Sequence, residues 1–218
     1  MTRGMRVAVA IAVCGALAGV STACGSETGY TRKEAVGELT RLQRLLPQAR
    51  ELPDGFSARL RDGWKPPFRP RDRECRLILD TAGGRPPKQA LGAQVAATYP
   101  GDKLGELAGV GLMSYAGDDA RFHFAKLTEA LNDCRVVMSR RVSAGTSFAV
   151  SSLDMDAVGD EMEARRLRGR LNGYPYEMHM VFARIGHTLV SLVHAGVTDV
   201  DVRRTQELAR FLAGRAAA

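Results

Sequence analysis

The chain has no nucleophile elbow, no H-E-x-x-H helix, no Walker loop and no pair of C-x-x-C motifs, so it carries no recognisable catalytic or zinc-binding signature. It has no internal repeat. Long apolar runs are also missing, except for one of fourteen residues from Val7 to Val20. That run falls short of the about 20 residues a membrane-spanning helix needs. Cysteine is sparse, with four in 218 residues, and lysine is scarce beside arginine, 5 against 26. The arginine bias fits a GC-rich genome as readily as a functional demand.

What is there begins with export. Arg3 and Arg6 precede the apolar run, and residues 1–23 read as a secretory signal removed after Ala23. Two enzymes could make that cut. An ordinary signal peptidase wants small residues at the last and third-last positions, here Ala23 and Ser21. A lipoprotein peptidase cuts before an acylated cysteine, and "VSTAC" is similar to its lipobox, with Ala23 and Cys24 in place. Ser21 stands where Leu, Val or Ile is usual, and Val20 lies one position early. The cysteine count favours lipidation. Cys14 leaves with the signal, and an exported chain with three thiols has one left over. Acylation of Cys24 removes it and leaves Cys75 and Cys134 to pair. The expectation is a chain anchored in the cell membrane by acyl groups on Cys24, facing away from the cytoplasm, with a soluble secreted protein as the alternative.

With 45% apolar residues the chain has enough for one core and one domain. Residues 24–30, "CGSETGY", are small and polar, and read as a tether. The formal charge is +7, of which about +5 stays once Arg3 and Arg6 depart. Export removes nucleic acid as a partner, so an anionic lipid surface or cell-wall polymer becomes the natural counter-charge.

Thr31 and Glu34 form a capping box, and Val36, Leu39, Leu42 and Leu46 follow at helical spacing before Pro47, which predicts an amphipathic helix over 32–46. Ala120, Phe124, Leu127, Leu131 and Cys134 recur at intervals of four and three, predicting a second helix whose core stripe ends at Cys134. A Cys75–Cys134 bridge would close a loop of about 60 residues and stabilise by about 4 kcal/mol in the chain-entropy model; two buried free thiols are the alternative. Asn172-Gly173 is a strong hairpin signal, pairing 161–171 with 174–184, and a turn at Gly186 returns the chain through "TLVSLVHA". Thr198 or Asp199 then caps a terminal helix. Earlier strands are expected at 92–99, 105–115 and 144–153. The pattern predicts an α+β fold: a twisted antiparallel β-sheet flanked by helices, in one domain with one disulfide.

Four stretches invite a functional reading. "EMHMVF" sets Met178, His179 and Met180 side by side, as a copper site might, but alternate strand residues point to opposite faces, so the methionines read as core and no metal is expected. "LDMDAVGDEME" is acidic but lacks the EF-hand pattern, and reads as a polar connection. Arg166, Arg168 and Arg170 share one face at about 6.6 Å spacing. With Tyr174 and Tyr176 they form the candidate ligand site, against the alternative of a solvated edge strand. "DGWKPPFRPRDREC" interleaves Trp64 and Phe68 with Lys65 and Arg69 among stiffening prolines. It suits either a membrane-surface loop or a buried Trp64 with its cations in water.

The order of these elements over 31–215 resembles the PknH-like extracellular sensor domains of actinobacteria, which also occur alone in lipoproteins. The resemblance rests on the N-terminal helix, Cys75 before "RLILD", "ARFHFAKLTEALNDC", Gly159-Asp160-Glu161, and "FARIGHTLVSLVHAG". It implies a twisted antiparallel sheet flanked by helices, with a cleft for an undefined extracellular ligand. Mycobacterial members often carry two disulfides, whereas this chain has material for one. The expectation is a lipid-anchored, non-catalytic, sensor-like module without cofactor, taking a small or cell-wall ligand. Its alternatives are an accessory envelope protein acting through protein contacts, and an enzyme in which His123, His179, His187 or His194 meets a carboxylate in a cleft.

Overall fold

Thr31 accepts a hydrogen bond from the Glu34 amide while its own amide donates to Glu34 at 2.8 Å. This capping box starts helix α1 (Arg32–Leu45). The structure, a computed structural model, describes residues 30–218 apart from 49, 50, 54, 58, 60, 142–144 and 198. The expected export signal and the expected acylation site, Cys24, lie outside the described residues. Leu42 is fully buried, but Val36 and Leu39 are 59% and 38% exposed, contrary to the expected stripe. The helix face that meets the sheet here is polar: Glu38 accepts from Ser114 at 2.7 Å. Val36, two residues from Glu38, therefore lies about 200° round the helix, on the solvent side.

A helix not expected from the sequence, α2 (Arg73–Ala82), follows Asp72, whose carboxylate accepts from the Glu74 and Cys75 amides. Cys75, Ile78, Leu79 and Ala82 are its buried side. Helix α3 (Asp119–Asp133) buries Ala120, Phe124, Leu127 and Leu131 as its spacing predicts. Cys134 ends it and forms the disulfide with Cys75.

Eight strands make one antiparallel sheet: β1 (Arg61–Asp62), β2 (Leu91–Pro100), β3 (Leu107–Tyr115), β4 (Val136–Met138), β5 (Ser147–Ser152), β6 (Glu161–Leu171), β7 (Tyr174–Ile185) and β8 (Thr188–Gly196). Their order across the sheet is β1-β2-β3-β8-β7-β6-β5-β4. Asn172 and Gly173 take φ of 52° and 86°, the positive values a tight hairpin requires, and so fix the β6–β7 register. Helix α4 (Val202–Ala217) is capped by Asp201, which accepts from the Arg203 amide at 2.8 Å. Of the two caps expected, Asp199 pairs instead with Arg168, and Thr198 lies outside the described residues.

The strands' period of two sorts their side chains between two cores. On one face Met113, Phe148, Leu167, Met178, Met180, Phe182 and Val193 pack with α2 and α3. On the other, Leu112, Val181, Val190 and Leu192 pack with Leu42 of α1 and Leu208 and Leu212 of α4. The α+β expectation therefore holds, as one antiparallel sheet flanked by helices with one disulfide.

Candidate functional site

The expected arginine and tyrosine cluster is divided by the sheet. Cross-strand partners share a face, and Arg168 pairs with Glu177 whereas Tyr174 and Tyr176 pair with Leu171 and Gly169. The three arginines thus lie on the α4 face and the two tyrosines on the other. β6 is also an interior strand, between β5 and β7, rather than an edge. The arginines are engaged: Arg166 with Glu177 at 3.1 Å, Arg168 with Asp199 at 2.9 Å, and Arg170 with the Gly173 carbonyl at 3.0 Å. The cavity beside Arg168 and Tyr176 holds about 80 Å³, well below the roughly 300 Å³ at which small-molecule pockets begin.

Beneath Arg166 a polar seam runs between the sheet and α4. Thr205 of α4 places its hydroxyl 2.8 Å from Nδ1 of both His179 and His194. The opposite ring nitrogens lie 2.9 Å from Glu177 and 3.0 Å from Glu106. Arg204 holds Glu106 in turn, at 2.9 Å. These are histidine–carboxylate meetings an enzyme reading requires, but both imidazoles are 0% exposed, so the pairs do not face a cleft; a third pair, the exposed His187 with Glu38 at 3.6 Å, shares its carboxylate with Arg41 and Ser114. Burial, assisted by the nearby His194 and Arg166 charges, pushes the His179 pKa down to about 3. Burial also lowers that of His194 against the pull of Glu106, and raises Glu177. The seam fastens α4 to β7 and β8.

Met178 and Met180 are core residues on the face opposite His179, and no group of three or more His, Cys, Asp or Glu among the described residues is placed to hold a metal. In the acidic connection, Asp160 and Glu161 clasp Arg184, while Asp156 pairs with Arg210. A cavity of about 350 Å³ between this connection and α4 carries nearly balanced charge from Asp154, Asp156, Glu207, Arg203 and Arg210.

The 64–70 loop builds a larger hollow. Trp64 is 6% exposed and joins the core, and a Cβ on Gly109 would stand 2.5 Å from the Trp64 Cβ, so glycine there permits the approach. Phe68 is half-buried and stacks on Phe148 with centroids 5.6 Å apart. Lys65 and Arg69 remain exposed. Of the two readings of this loop, the structure has the buried one: Trp64 is inside and anchors the loop, while the cations face water. Pro70 pairs with Ser139, and the Arg140 amide donates to the Arg69 carbonyl at 2.9 Å, which brings two distant segments together.

The resulting groove encloses about 740 Å³ between this loop, α2 and residues 139–141. Arg69, Arg76, Arg85, Arg140 and Arg141 line it, with Asp80 as its one carboxylate. Asp80 is held by Arg85 at 2.7 Å. The other four guanidiniums make no ion pair among the described residues, and the buried Nε of Arg76 has no hydrogen-bond partner among them. Leaving such a donor unsatisfied costs about 1–3 kcal/mol. The disulfide fixes α2, beside Arg76, to the end of α3. Sequence reasoning saw only Arg69 of this set, because the rest arrive from α2, its C-terminal turn and the β4–β5 connection.

No helix among the described residues is long and apolar enough to cross a membrane. No protein-family model matches the chain, and no curated protein matches it. The extracellular domain of PknH from Mycobacterium tuberculosis is similar in structure, with a TM-score of 0.51 over 87% of this chain and 92% of that one, at 9% sequence identity. The likeness is one of fold, and it agrees with the sequence resemblance at that level.

Proposed function

We propose that the chain is a lipid-anchored, non-catalytic, sensor-like binding module on the outer side of the cell membrane, and that its ligand occupies the arginine-lined groove. The groove carries this reading: it encloses about 740 Å³, is built on a disulfide-braced helix, and holds four guanidiniums without a carboxylate partner among the described residues. The fold likeness to an extracellular domain and the lipobox-like "VSTAC" support the location. The burial of the His179–Glu177 and His194–Glu106 pairs supports a non-catalytic role. An accessory role through protein contacts draws on Val36 and Leu39, which stand exposed on α1 near the tether.

Mass spectrometry of the chain extracted from its own envelope tests the proposal, first in native and then in denaturing conditions. The expected result is a chain beginning at acylated Cys24 and carrying a releasable small molecule that an Arg140→Glu/Arg141→Glu variant fails to retain. A chain without acyl groups refutes the anchor. A chain free of ligand, or a ligand retained by the variant, refutes the groove and shifts weight to the contact-mediated role.

A further inference from the structure

We propose that the groove is a site for a phosphate ester whose phosphoryl group sits against Arg76 and the Arg140–Arg141 pair, an inference that rests on reading the groove as the binding site.

Charge sets the sign of the ligand. Arg69, Arg76, Arg140 and Arg141 converge on one hollow without a carboxylate of their own, and Asp80 is already held by Arg85. Such a gathering of guanidiniums is self-repelling until an anion enters. Donor geometry sets the class. A carboxylate offers two oxygens in one plane and a single charge, whereas a phosphoryl monoester carries about −1.5 to −2 charges on three strong acceptor oxygens that point in three directions, and so matches several guanidiniums better. Arg76 is half-buried with its Nε–H unpartnered among the described residues, and the exposed Arg140 and Arg141 line the same hollow, so the phosphoryl oxygens meet the outer guanidinium nitrogens.

Size and wall chemistry set the rest of the ligand. About 740 Å³ is far more than a lone phosphate fills, and falls within the roughly 300–1,000 Å³ of small-molecule sites. Pro66, Pro67, Phe68 and Pro70 supply an apolar wall, so the phosphoryl group must be borne on a larger body such as a polyol or sugar. The site is also stiff before any ligand arrives: the prolines fix their φ angles, and the Cys75–Cys134 bridge holds the helix carrying Arg76. A preformed site loses less conformational freedom on binding. The phosphate monoester could come from a soluble metabolite or from the monoester headgroup of a phosphatidic acid; the chemistry is shared.

Calorimetric titration of the full chain in phosphatidylcholine nanodiscs tests the class, with glycerol 3-phosphate and succinate as probes at matched ionic strength. Saturable binding of glycerol 3-phosphate is expected, at least about tenfold tighter than succinate. A loss of about tenfold or more is expected in Arg76→Lys, which keeps the charge and removes the fork, and in Arg140→Gln/Arg141→Gln. The latter two residues are exposed, so the double variant tests the site even if Arg76→Lys disturbs folding. Nanodiscs containing phosphatidic acid, whose headgroup is a monoester, separate the sources: if added glycerol 3-phosphate is displaced there, the headgroup is the occupant, and if its affinity is unchanged, a soluble ester is. Equal affinity for succinate, or binding indifferent to the arginine substitutions, overturns the phosphate assignment. If the ligand recovered with the native chain still depends on Arg140 and Arg141, the binding function survives that failure; if no ligand is retained at all, both readings fail.

Discussion

His179 is the most informative single residue for testing the folded structure by titration. It is fully buried on the α4 side of β7, with Thr205 at Nδ1, Glu177 at Nε2 and the Arg166 Nε donating to Nε2 at 3.4 Å. Burial lowers its pKa from 6.5 to about 3. The unfolded chain therefore binds a proton below pH 6.5 that the folded chain refuses. The resulting stability is fully present above pH 6.5 and is lost as pH falls toward 3, by about 1.4 kcal/mol per pH unit. Between pH 7 and pH 5 the His179 share is about 2 kcal/mol by the same relation. His194 is shifted in the same direction and steepens the loss, while Glu177, raised by burial, opposes it as pH falls. A difference between proteins isolates the one residue: urea denaturation of the wild type and His179→Asn at pH 7, 6 and 5, with the disulfide intact. The variant should be less stable at pH 7 but lose about 2 kcal/mol less on acidification. Parallel stability curves for the two proteins would refute a buried neutral imidazole at this position.

Removing the bridge with Cys75→Ser/Cys134→Ser, which frees a 59-residue separation, should lower stability by about 4 kcal/mol in the chain-entropy model and weaken ligand retention in the groove; denaturation curves within about 1 kcal/mol of wild type would contradict this account. Trp64→Ala should cost about 3–5 kcal/mol as a core truncation, whereas Lys65→Glu and Arg69→Glu should each change thermal stability by less than about 0.5 kcal/mol. Equal effects from the two kinds of substitution would mean that Trp64 is not in the core. Gly169→Ala places a Cβ 2.0 Å from the Ser147 carbonyl oxygen, so the β5–β6 ladder should loosen, at a cost of about 1–3 kcal/mol. Hydrogen exchange at the β5 amides reports it, and unchanged protection would count against the register.

Local chemistry was the legible part of the fold. The Thr31–Glu34 box, the α3 stripe and the Asn172-Gly173 turn each act within a few residues, and each element formed where its signal lay. Helix α2 had comparable signals, with Asp72 at the cap and Cys75, Ile78, Leu79 and Ala82 at helical spacing, but its short apolar run, "RLIL", reads equally as a strand. Val36 and Leu39 misled because periodicity gives a stripe without saying whether the sheet reaches that far. The sites were less legible than the elements. Arg166 and Arg168 looked available because Glu177 and Asp199, their partners, lie across a turn and past the next strand. The Arg76–Arg140 groove and the seam from Glu106 to Thr205 are assembled from residues about 60 to 100 apart, a distance over which one sequence carries no spacing signal.

The position of β8 has a consequence for how the chain can assemble. The last strand in the chain lies in the middle of the sheet, between β3 and β7, and Leu107 to Ser114 have no neighbour on that side until residues 188–195 arrive. The N-terminal meander and the four strands β4 to β7 are two half-sheets that nothing else in the ladder joins. A chain still emerging, or one cut before Thr188, therefore exposes two strand rims and both halves of an open core instead of a smaller version of the fold. A chain truncated before Thr188 should therefore lack the cooperative unfolding transition of the whole protein.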